Sequence, residues 1–435
     1  MMRATMQRAG WLGAMAILAL SAPPATAQVH FRLPDWITPS GLLELESAYG
    51  ISTGAAQKTE LSFRPRVDMR LPGGATLTGI ARLRGDAYDH LDPGSHVKFD
   101  LRELYVDLTV GGAYLRLGKQ QVVWGQTDGL KLLDVLNPQD FREFILDSFE
   151  DSRIPLWTMN LEIPVRDFVV QLLWIPDRTY HKIPEDGAVF GFTAPLFRPV
   201  IPRGVAVELR ETEKPDRLIA DSDFGVKVST FWKGWDLGVN YAYLYDDVPV
   251  LFRRVSLDDA GPRVTITPRY ARTHLVGGTF SNTFGALTLR GEVAYQSKRY
   301  FITSTPQDDD GVLGRGEAMY ALGFDWFGLS DWTLSAQVFQ SVLTGSASTL
   351  PRDRLQTNVT GLVRRDLQND RLTAEILWIQ NVNQGDGVVR PKVRYELRSN
   401  TNVWLGADLF YGSGEGLFGQ FDHGARVVTG VELGL

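Results

Sequence analysis

The sequence contains no cysteine among its 435 residues and only six histidines. Without cysteine the chain can form neither a disulfide framework nor a metal site with thiolate ligands. After residue 27 it also lacks any apolar run of the roughly 20 residues that a membrane-spanning helix requires. If the chain crosses a membrane, it must therefore do so as a closed β-barrel, the other architecture that satisfies its backbone hydrogen bonds within lipid.

The first residues indicate where the protein is sent. Arg3 and Arg8 precede an apolar run over residues 11–20, and small residues then lead to Ala27 in an A-x-A pattern. This order is typical of a secretory signal peptide, so we expect residues 1–27 to be removed. A membrane anchor is the alternative, but no stop-transfer segment follows the apolar run.

Alternation of apolar and polar residues at period two runs through the chain and predicts β-strands. In residues 59–71 the apolar side chains of Leu61, Phe63, Val67 and Met69 fall on one face, and charged or polar side chains occupy the other. A soluble β-sandwich would also alternate in this way. The alternating segments are about 9 to 13 residues long, however, which is the length that a tilted strand needs to cross a bilayer.

About 18 such segments can be placed, with 16 to 18 strands as the expected range. They lie near residues 41–53, 58–71, 75–87, 98–110, 112–122, 157–165, 167–175, 221–232, 235–246, 270–281, 286–298, 317–327, 331–342, 355–365, 370–381, 388–398, 401–411 and 425–435. Every second connection is a tight turn, such as Gly111-Gly112, whereas the others are longer, above all residues 176–220. Short turns on one side and long extracellular loops on the other are typical of outer-membrane barrels.

We therefore expect residues 28–435 to form one all-β domain, a transmembrane antiparallel up-and-down β-barrel in the bacterial outer membrane. Its expected partners are outer-membrane lipid, lipopolysaccharide and the barrel-assembly machinery, and we expect no nucleic acid.

The polar face of the strands would line the interior of this barrel. The basic residues expected there are Arg64, Arg66, Arg70, Arg82, Arg84, Arg116, Lys392 and Arg394. Charged rings in a pore select ions by sign, and the guanidinium fork suits carboxylates and phosphates, so a local excess of positive charge favours an anionic solute. The alternative is that these residues pair with carboxylates on the same face and only keep the lumen hydrated.

Residues 124–155, between the fifth and sixth expected strands, are unusually apolar for an extracellular loop. Leucines recur from Leu130 to Leu136, and phenylalanines follow at helix-like spacing. Because exposed apolar surface of this extent would aggregate, we expect the segment to fold into the barrel as a constriction or plug. The residues expected at the constriction are Trp124, Lys131, Asp134, Asp140, Arg142, Glu143 and Arg153. A surface loop packed on the rim is the alternative.

Three short runs around this segment carry a family resemblance. They are LRLGKQ at residues 115–120, VWGQ at 123–126 and DVLNP at 134–138. They resemble the signature of a largely uncharacterised proteobacterial outer-membrane family in which RLGRQ leads to a WG pair and an INP turn; here Lys119 and Leu136 stand for the usual Arg and Ile. The architecture is similar to the alginate-export barrel, whose arginine-lined lumen passes an anionic polysaccharide. The resemblance implies an envelope exporter as a further partner and names no substrate.

Catalysis and metal binding find little support in the sequence. His274 lies on an expected strand, and nothing links it to a serine or aspartate. His90 and His96 share a loop with aspartates, but at no fixed ligand spacing. We therefore expect no catalytic residue, metal or cofactor, and a porin-like channel for a polar solute, with an anion favoured. The alternatives are a structural or partner-binding component of an envelope export system and, less favoured, an enzyme built on the barrel.

Overall fold

The computed structural model describes residues 33–195, 197–198, 204–258, 261–303 and 310–435. The expected signal peptide, residues 1–27, lies outside this part of the chain and stays a prediction. In the described residues the strands are, in chain order, β1 (Ile37–Gly50), β2 (Ala56–Arg70), β3 (Thr76–Asp86), β4 (Val97–Val110), β5 (Ala113–Gln120), β6 (Leu156–Val165), β7 (Phe168–Ile175), β8 (Ala206–Leu209), β9 (Asp223–Trp232), β10 (Trp235–Tyr245), β11 (Val250–Asp258), β12 (Gly261–Arg269), β13 (Arg272–Phe284), β14 (Leu287–Ile302), β15 (Val312–Trp326), β16 (Trp332–Leu343), β17 (Leu355–Leu367), β18 (Leu372–Asn381), β19 (Asp386–Arg398), β20 (Thr401–Tyr411) and β21 (Arg426–Gly434).

Helix is scarce in the described chain. It comprises one α-helical turn, α1 (Phe149–Ser152), and two 3₁₀ segments, Pro72–Gly74 and Gly419–Gly424. Within the ranges that the structure covers, no helix combines the length and apolar character needed to span a membrane.

Eighteen of the described strands, all except β8, β11 and β12, form one closed antiparallel sheet. Each barrel strand pairs with the next one along the chain, and β21 closes the sheet against β1, from Gly434 opposite Leu42 to Arg426 opposite Gly50. Closure pairs both edges of each of these eighteen strands, as a barrel in lipid requires. The predicted fold class, an antiparallel barrel of about 18 strands, is confirmed.

The register separates an outward face from an inward face. Phe63, Leu83 and Phe99 lie opposite one another on β2, β3 and β4. They are 37%, 46% and 68% exposed. Such a row of exposed apolar side chains on a barrel wall is suited to lipid. The alternate residues of the same strands include Arg64, Arg82 and Arg84, which contact groups inside the barrel.

A β-bulge changes this alternation between β3 and β4. Ile80 lies opposite Glu103, whereas Ala81 lies opposite Leu101, so Arg102 is the extra residue. Arg102 and Glu103 therefore both have interior partners: Arg102 donates to the carbonyl of Glu150 at 2.7 Å, and Glu103 accepts from the Gln121 amide at 3.1 Å. Strict alternation places only one of two neighbours inside, and for this reason Arg102 was absent from the residues predicted to line the lumen.

The long loop at residues 176–220 contains a short strand. Its strand β8 pairs in parallel with β12, which pairs with β11 in the loop between β10 and β13. This three-stranded sheet was not predicted, because β8 has only four residues and its partner lies more than fifty residues away along the chain.

Candidate functional site

Residues 121–155, called the inner loop below, connect β5 to β6 and lie inside the barrel. The backbone N–H of Thr127 donates to Glu292 on β14 at 2.9 Å. Farther along the loop, Arg142 pairs with Glu60 on β2 at 2.7 Å. The loop therefore contacts walls of the barrel that lie many strands apart.

The first half of the inner loop is anchored by apolar side chains in a fitted wall. Trp124 is 1% exposed, and its indole N–H donates to Gln171 on β7 at 2.7 Å. A Cβ at Gly225 would come within 2.9 Å of the Trp124 ring, and one at Gly277 within 2.5 Å of Leu133. At these two wall positions only glycine, which has no Cβ, leaves enough room for the loop side chains.

A buried carboxylate shapes the same half of the loop. Glu292, which is fully buried, accepts hydrogen bonds from the backbone N–H groups of Gln126, Thr127 and Leu133. On the same strand Arg290 donates to the carbonyl of Gln126 at 2.9 Å and pairs with Asp325 at 3.0 Å. Charged side chains of β14 therefore satisfy backbone groups of an irregular segment that would otherwise be buried unpaired.

The second half of the inner loop packs against the connections between β7 and β9 and between β20 and β21. Phe144 contacts Phe192, Phe418 and Phe421, with ring centroids 4.7 to 6.0 Å apart. Its φ of 54° is in the left-handed region, which a bulky residue adopts only when the surroundings hold it there. The aromatic cluster thus fixes the turn that presents Arg142 and Glu143 to the wall.

The motif residues have structural roles in this arrangement. Asn137 accepts from the backbone N–H of Val122 at 2.8 Å and donates to the carbonyl of Ile154 at 2.9 Å, so it joins the beginning and the end of the inner loop. Gly118 has a φ of 132°, and a Cβ there would lie 2.2 Å from the Leu104 carbonyl. Gln120 donates to the carbonyl of Thr158 on β6 at 3.0 Å. The motif therefore builds the base of the inner loop.

Glu143 is the centre of a buried charge cluster. It pairs with Lys58 at 2.6 Å, Arg142 at 3.0 Å and Arg426 at 2.7 Å. Arg426 and Arg390 in turn share Asp408, each at 2.8 Å. Although burial opposes ionisation, the three cations hold the pKa of Glu143 well below its usual range. The cluster joins the loop to both sides of the seam between β1 and β21.

A second group of charges connects the arginines of β2 and β3 with the loop. Arg64 pairs with Asp151 at 2.7 Å, and Arg82 lies 3.7 Å from the same carboxylate and 3.3 Å from Asp100. Arg84 lies 3.5 Å from Asp100. Mixed charges on this face therefore pair, as the alternative interpretation of the sequence held.

The remaining predicted loop residues form local ion pairs. Asp134 pairs with Arg153 at 2.7 Å and lies 3.6 Å from Lys131. Burial lowers the pKa of Lys131 to about 8. Asp140 lies 3.8 Å from Lys182 and 3.9 Å from Arg84. These contacts fix the loop to itself and to its neighbours.

A cavity of about 580 Å³ lies between residues 142–151 of the inner loop and the walls formed by β1–β3 and β18–β21. Five of the predicted lumen residues line it, namely Arg64, Arg82, Arg84, Lys392 and Arg394. Arg116, which pairs with Asp107 at 2.6 Å, lines a second cavity of about 420 Å³ near the turns of β3–β6. Arg66 pairs with Asp68 at 2.7 Å and, like Arg70, lines neither cavity.

Charges in the lining of the larger cavity balance. Its nine basic residues are Lys58, Arg64, Arg82, Arg84, Arg142, Arg390, Lys392, Arg394 and Arg426. Its nine acidic residues are Glu44, Glu46, Glu60, Asp147, Glu150, Asp151, Glu375, Asp408 and Glu432. The described lining therefore carries no formal net charge, although acids predominate on the loop.

The histidines do not assemble a catalytic group in the described part of the chain. His274 lies among tyrosines, with its Nδ1 2.8 Å from the Tyr241 hydroxyl on the exposed face. His181 accepts from the backbone N–H of Gln139 at 2.8 Å and supports the inner loop. Across the described ranges, no three His, Asp or Glu side chains are grouped to hold a metal ion.

A model of the family described as a protein of unknown function (DUF1302) matches residues 92–360, which include the motif region. No curated protein matches the chain. Among solved structures, the outer membrane protein OpdK of Pseudomonas aeruginosa has a TM-score of 0.55 and 11% identity, over 92% of this chain and 98% of that chain. OccAB2 of Acinetobacter baumannii has a TM-score of 0.53 and 12% identity, over 92% and 97%.

A structure of OpdK with vanillate has a TM-score of 0.52 and 10% identity, over 92% of this chain and 98% of that chain. At these identities the likeness shows the fold, that of an outer-membrane β-barrel. The similarity to the alginate-export barrel stays a prediction.

Proposed function

The chain belongs to the DUF1302 family of unknown function, and we propose that it is a channel through which small polar solutes cross the outer membrane. The observation that carries the proposal is the 580 Å³ cavity lined by charged side chains between the inner loop and the wall. Apolar side chains would fill such a space by packing against one another, whereas the charged side chains that line it require water or a polar solute as partners.

The inner loop would narrow this passage and set the size of solute that enters. Its position depends on the charge cluster at Glu143 and on the apolar anchor at Trp124. Because ion pairs hold residues 142–151 beside the cavity, those residues would form the constriction, whereas Trp124 is buried in the wall and positions the loop. A cavity of this volume accommodates a small organic molecule.

Carboxylates are the solute groups that this wall would recognise. Arg64, Arg82 and Arg84 lie on adjacent strands and line the cavity, and arginine binds carboxylates through paired donors. Their ion pairs with Asp100 and Asp151 would exchange for a solute carboxylate during passage. The structure of OpdK with vanillate, a small aromatic carboxylate, is consistent with solutes of this size in a barrel of similar fold.

Reconstitution into planar bilayers and proteoliposomes tests the proposal. We expect discrete single-channel steps in KCl, and uptake of vanillate and of a pentose but not of a tetrasaccharide. Protein that is inserted and resistant to protease yet silent in the bilayer would overturn the channel and favour a structural component of an export system. The expected exporter partner stays a prediction.

A further inference from the structure

Four charged side chains that line the 580 Å³ cavity form no ion pair with any residue that the structure describes: Asp147, Glu150, Glu375 and Lys392. Every other charged side chain in the described lining has a partner within 4.0 Å, as in the pairs Arg390–Asp408 and Arg394–Glu432. A paired charge must give up its partner before it can bind a solute. The unpaired ones are available to a solute.

These unpaired charges lie on both parts of the cavity. Asp147 and Glu150 are on the inner loop, whereas Glu375 is on β18 and Lys392, the unpaired base, is on β19. The Lys392 ammonium lies 5.2 Å from the centroid of the Trp404 ring. Glu375 lies opposite Lys392 in the register of β18 and β19 but makes no ion pair with it.

When all charged residues of the lining are counted, the loop is acidic and the walls are basic. On residues 142–151 of the loop the lining consists of Arg142 against three carboxylates, those of Asp147, Glu150 and Asp151. The walls supply the compensating basic charge. A molecule in the cavity therefore meets an acidic loop on one side and basic strands on the other, which orients a dipolar solute across the passage.

We infer that the cavity selects zwitterionic solutes, with a cationic amine at Asp147 and a carboxylate at Lys392. This inference rests on the proposed channel and names its solute class more narrowly, as small molecules that carry both an amine and a carboxylate. A solute with one charge would satisfy one of the two groups and leave the other unpaired. The pKa of Asp147 is raised to about 7, by burial and by Glu143, so an amine that binds there would also favour the ionised carboxylate.

Four probes of similar size test the selection: 4-aminobutyrate, butyrate, butylammonium and butyramide. For each, the concentration that half-blocks the single-channel KCl current at pH 7.5 is measured. We expect the half-blocking concentration of 4-aminobutyrate to be lower than that of any other probe, by about twofold to fivefold relative to the singly charged ones, the range that one additional exposed ion pair supplies.

Two substitutions separate the groups. Asp147→Asn should raise the half-blocking concentration of 4-aminobutyrate to that of butyrate, and Lys392→Met should raise it to that of butylammonium. Asp186→Asn, which changes an exposed carboxylate outside the cavity lining, should leave all four values unchanged. Equal blocking by the four probes, no blocking by any, or insensitivity to Asp147→Asn would overturn the inference while the channel stands. Wild-type protein without channel openings would overturn the channel itself.

Discussion

Glu143 of the inner loop and Arg426 of the last strand meet at 2.7 Å, inside the seam where β21 closes against β1. Both side chains are almost fully buried, and Lys58 of β2 reaches the same carboxylate from the other side of the seam at 2.6 Å. One loop residue is thus bound to the beginning and the end of the barrel. The position of the inner loop and the closure of the barrel are therefore coupled.

Glu143→Gln should detach the second half of the inner loop. The substitution leaves Lys58, Arg142 and Arg426 buried around a neutral group, and loss of one partner from a buried ion pair costs about 3–5 kcal/mol. We expect a lower urea midpoint in detergent, and larger and noisier single-channel currents. Glu415→Gln, on an exposed loop, is the control and should change neither.

The same carboxylate gives the loop a defined response to acid. Because the folded pKa of Glu143 is depressed, its stabilising contribution is present above the ordinary glutamate pKa of about 4.3 and is lost as the pH falls through the lower folded value. Wild-type current noise should therefore stay constant from pH 7 to about 4.5. An increase in noise within that interval would contradict the assignment.

Trp124→Ala should loosen the first half of the loop. Removal of a buried aromatic side chain from a fitted site costs about 3–5 kcal/mol, and here it also leaves Gln171 without its donor. We expect increased protease cleavage within residues 126–135 and a higher mean conductance. Trp157, which is 46% exposed on the outer wall, is the control: Trp157→Ala should change neither measurement.

Asn137 connects the two ends of the loop through different atoms, and two variants separate them. Asn137→Asp keeps the acceptor for Val122 and loses the donor to Ile154, whereas Asn137→Ala loses both. A buried polar group without a hydrogen-bond partner costs about 1–3 kcal/mol. The free energy of unfolding in urea should therefore be lower by about that amount in the alanine variant. Hydrogen exchange at Val122 should increase in the alanine variant and increase less in the aspartate variant. Equal exchange in the two would argue against the Val122 contact.

Ion selectivity should change with pH near neutrality. The pKa of Asp147 is raised to about 7 by burial and by Glu143, with a further contribution from Asp151, while Lys58 and Arg142 oppose the shift. Because Asp147 gains its negative charge as the pH rises, the reversal potential in a KCl gradient should shift toward K⁺ between pH 6 and 8. Asp147→Asn should abolish the shift. A shift that persists in this variant would assign the titration to another group.

The strands could be predicted from the sequence because each barrel strand pairs with a neighbour along the chain and alternates in polarity. The predicted segment 235–246, for example, corresponds to β10 (Trp235–Tyr245). The β3–β4 bulge could not be predicted, because Arg102 and Glu103 both turn inward only in the register that β3 imposes. The sheet of β8, β11 and β12 was missed because it joins separate loops.

The candidate site was less accessible from sequence than the fold. From the alternation of polarity, Arg66 and Arg70 were predicted to line the lumen together with Arg64, although neither of them lines either cavity. The sequence also did not predict an apolar inner wall. Leu275 of β13 packs on the loop while its neighbour Val276 faces outward, and two adjacent apolar residues do not indicate which of them points into the barrel. Lys58, Arg390 and Arg426 became recognisable as one cluster only when the closed barrel placed them around the loop.

The central claim, a water-filled passage beside the inner loop, is tested most directly by a single introduced thiol, since the chain has no other cysteine. Glu375→Cys places the thiol in the cavity lining, and Ile376→Cys places it on the next residue, which is 49% exposed on the lipid face. A charged methanethiosulfonate reagent added to the bath should reduce the single-channel current of Glu375→Cys in one step and leave Ile376→Cys unchanged. A current that the reagent leaves unchanged in both variants, or reduces equally in both, would contradict a passage along this wall.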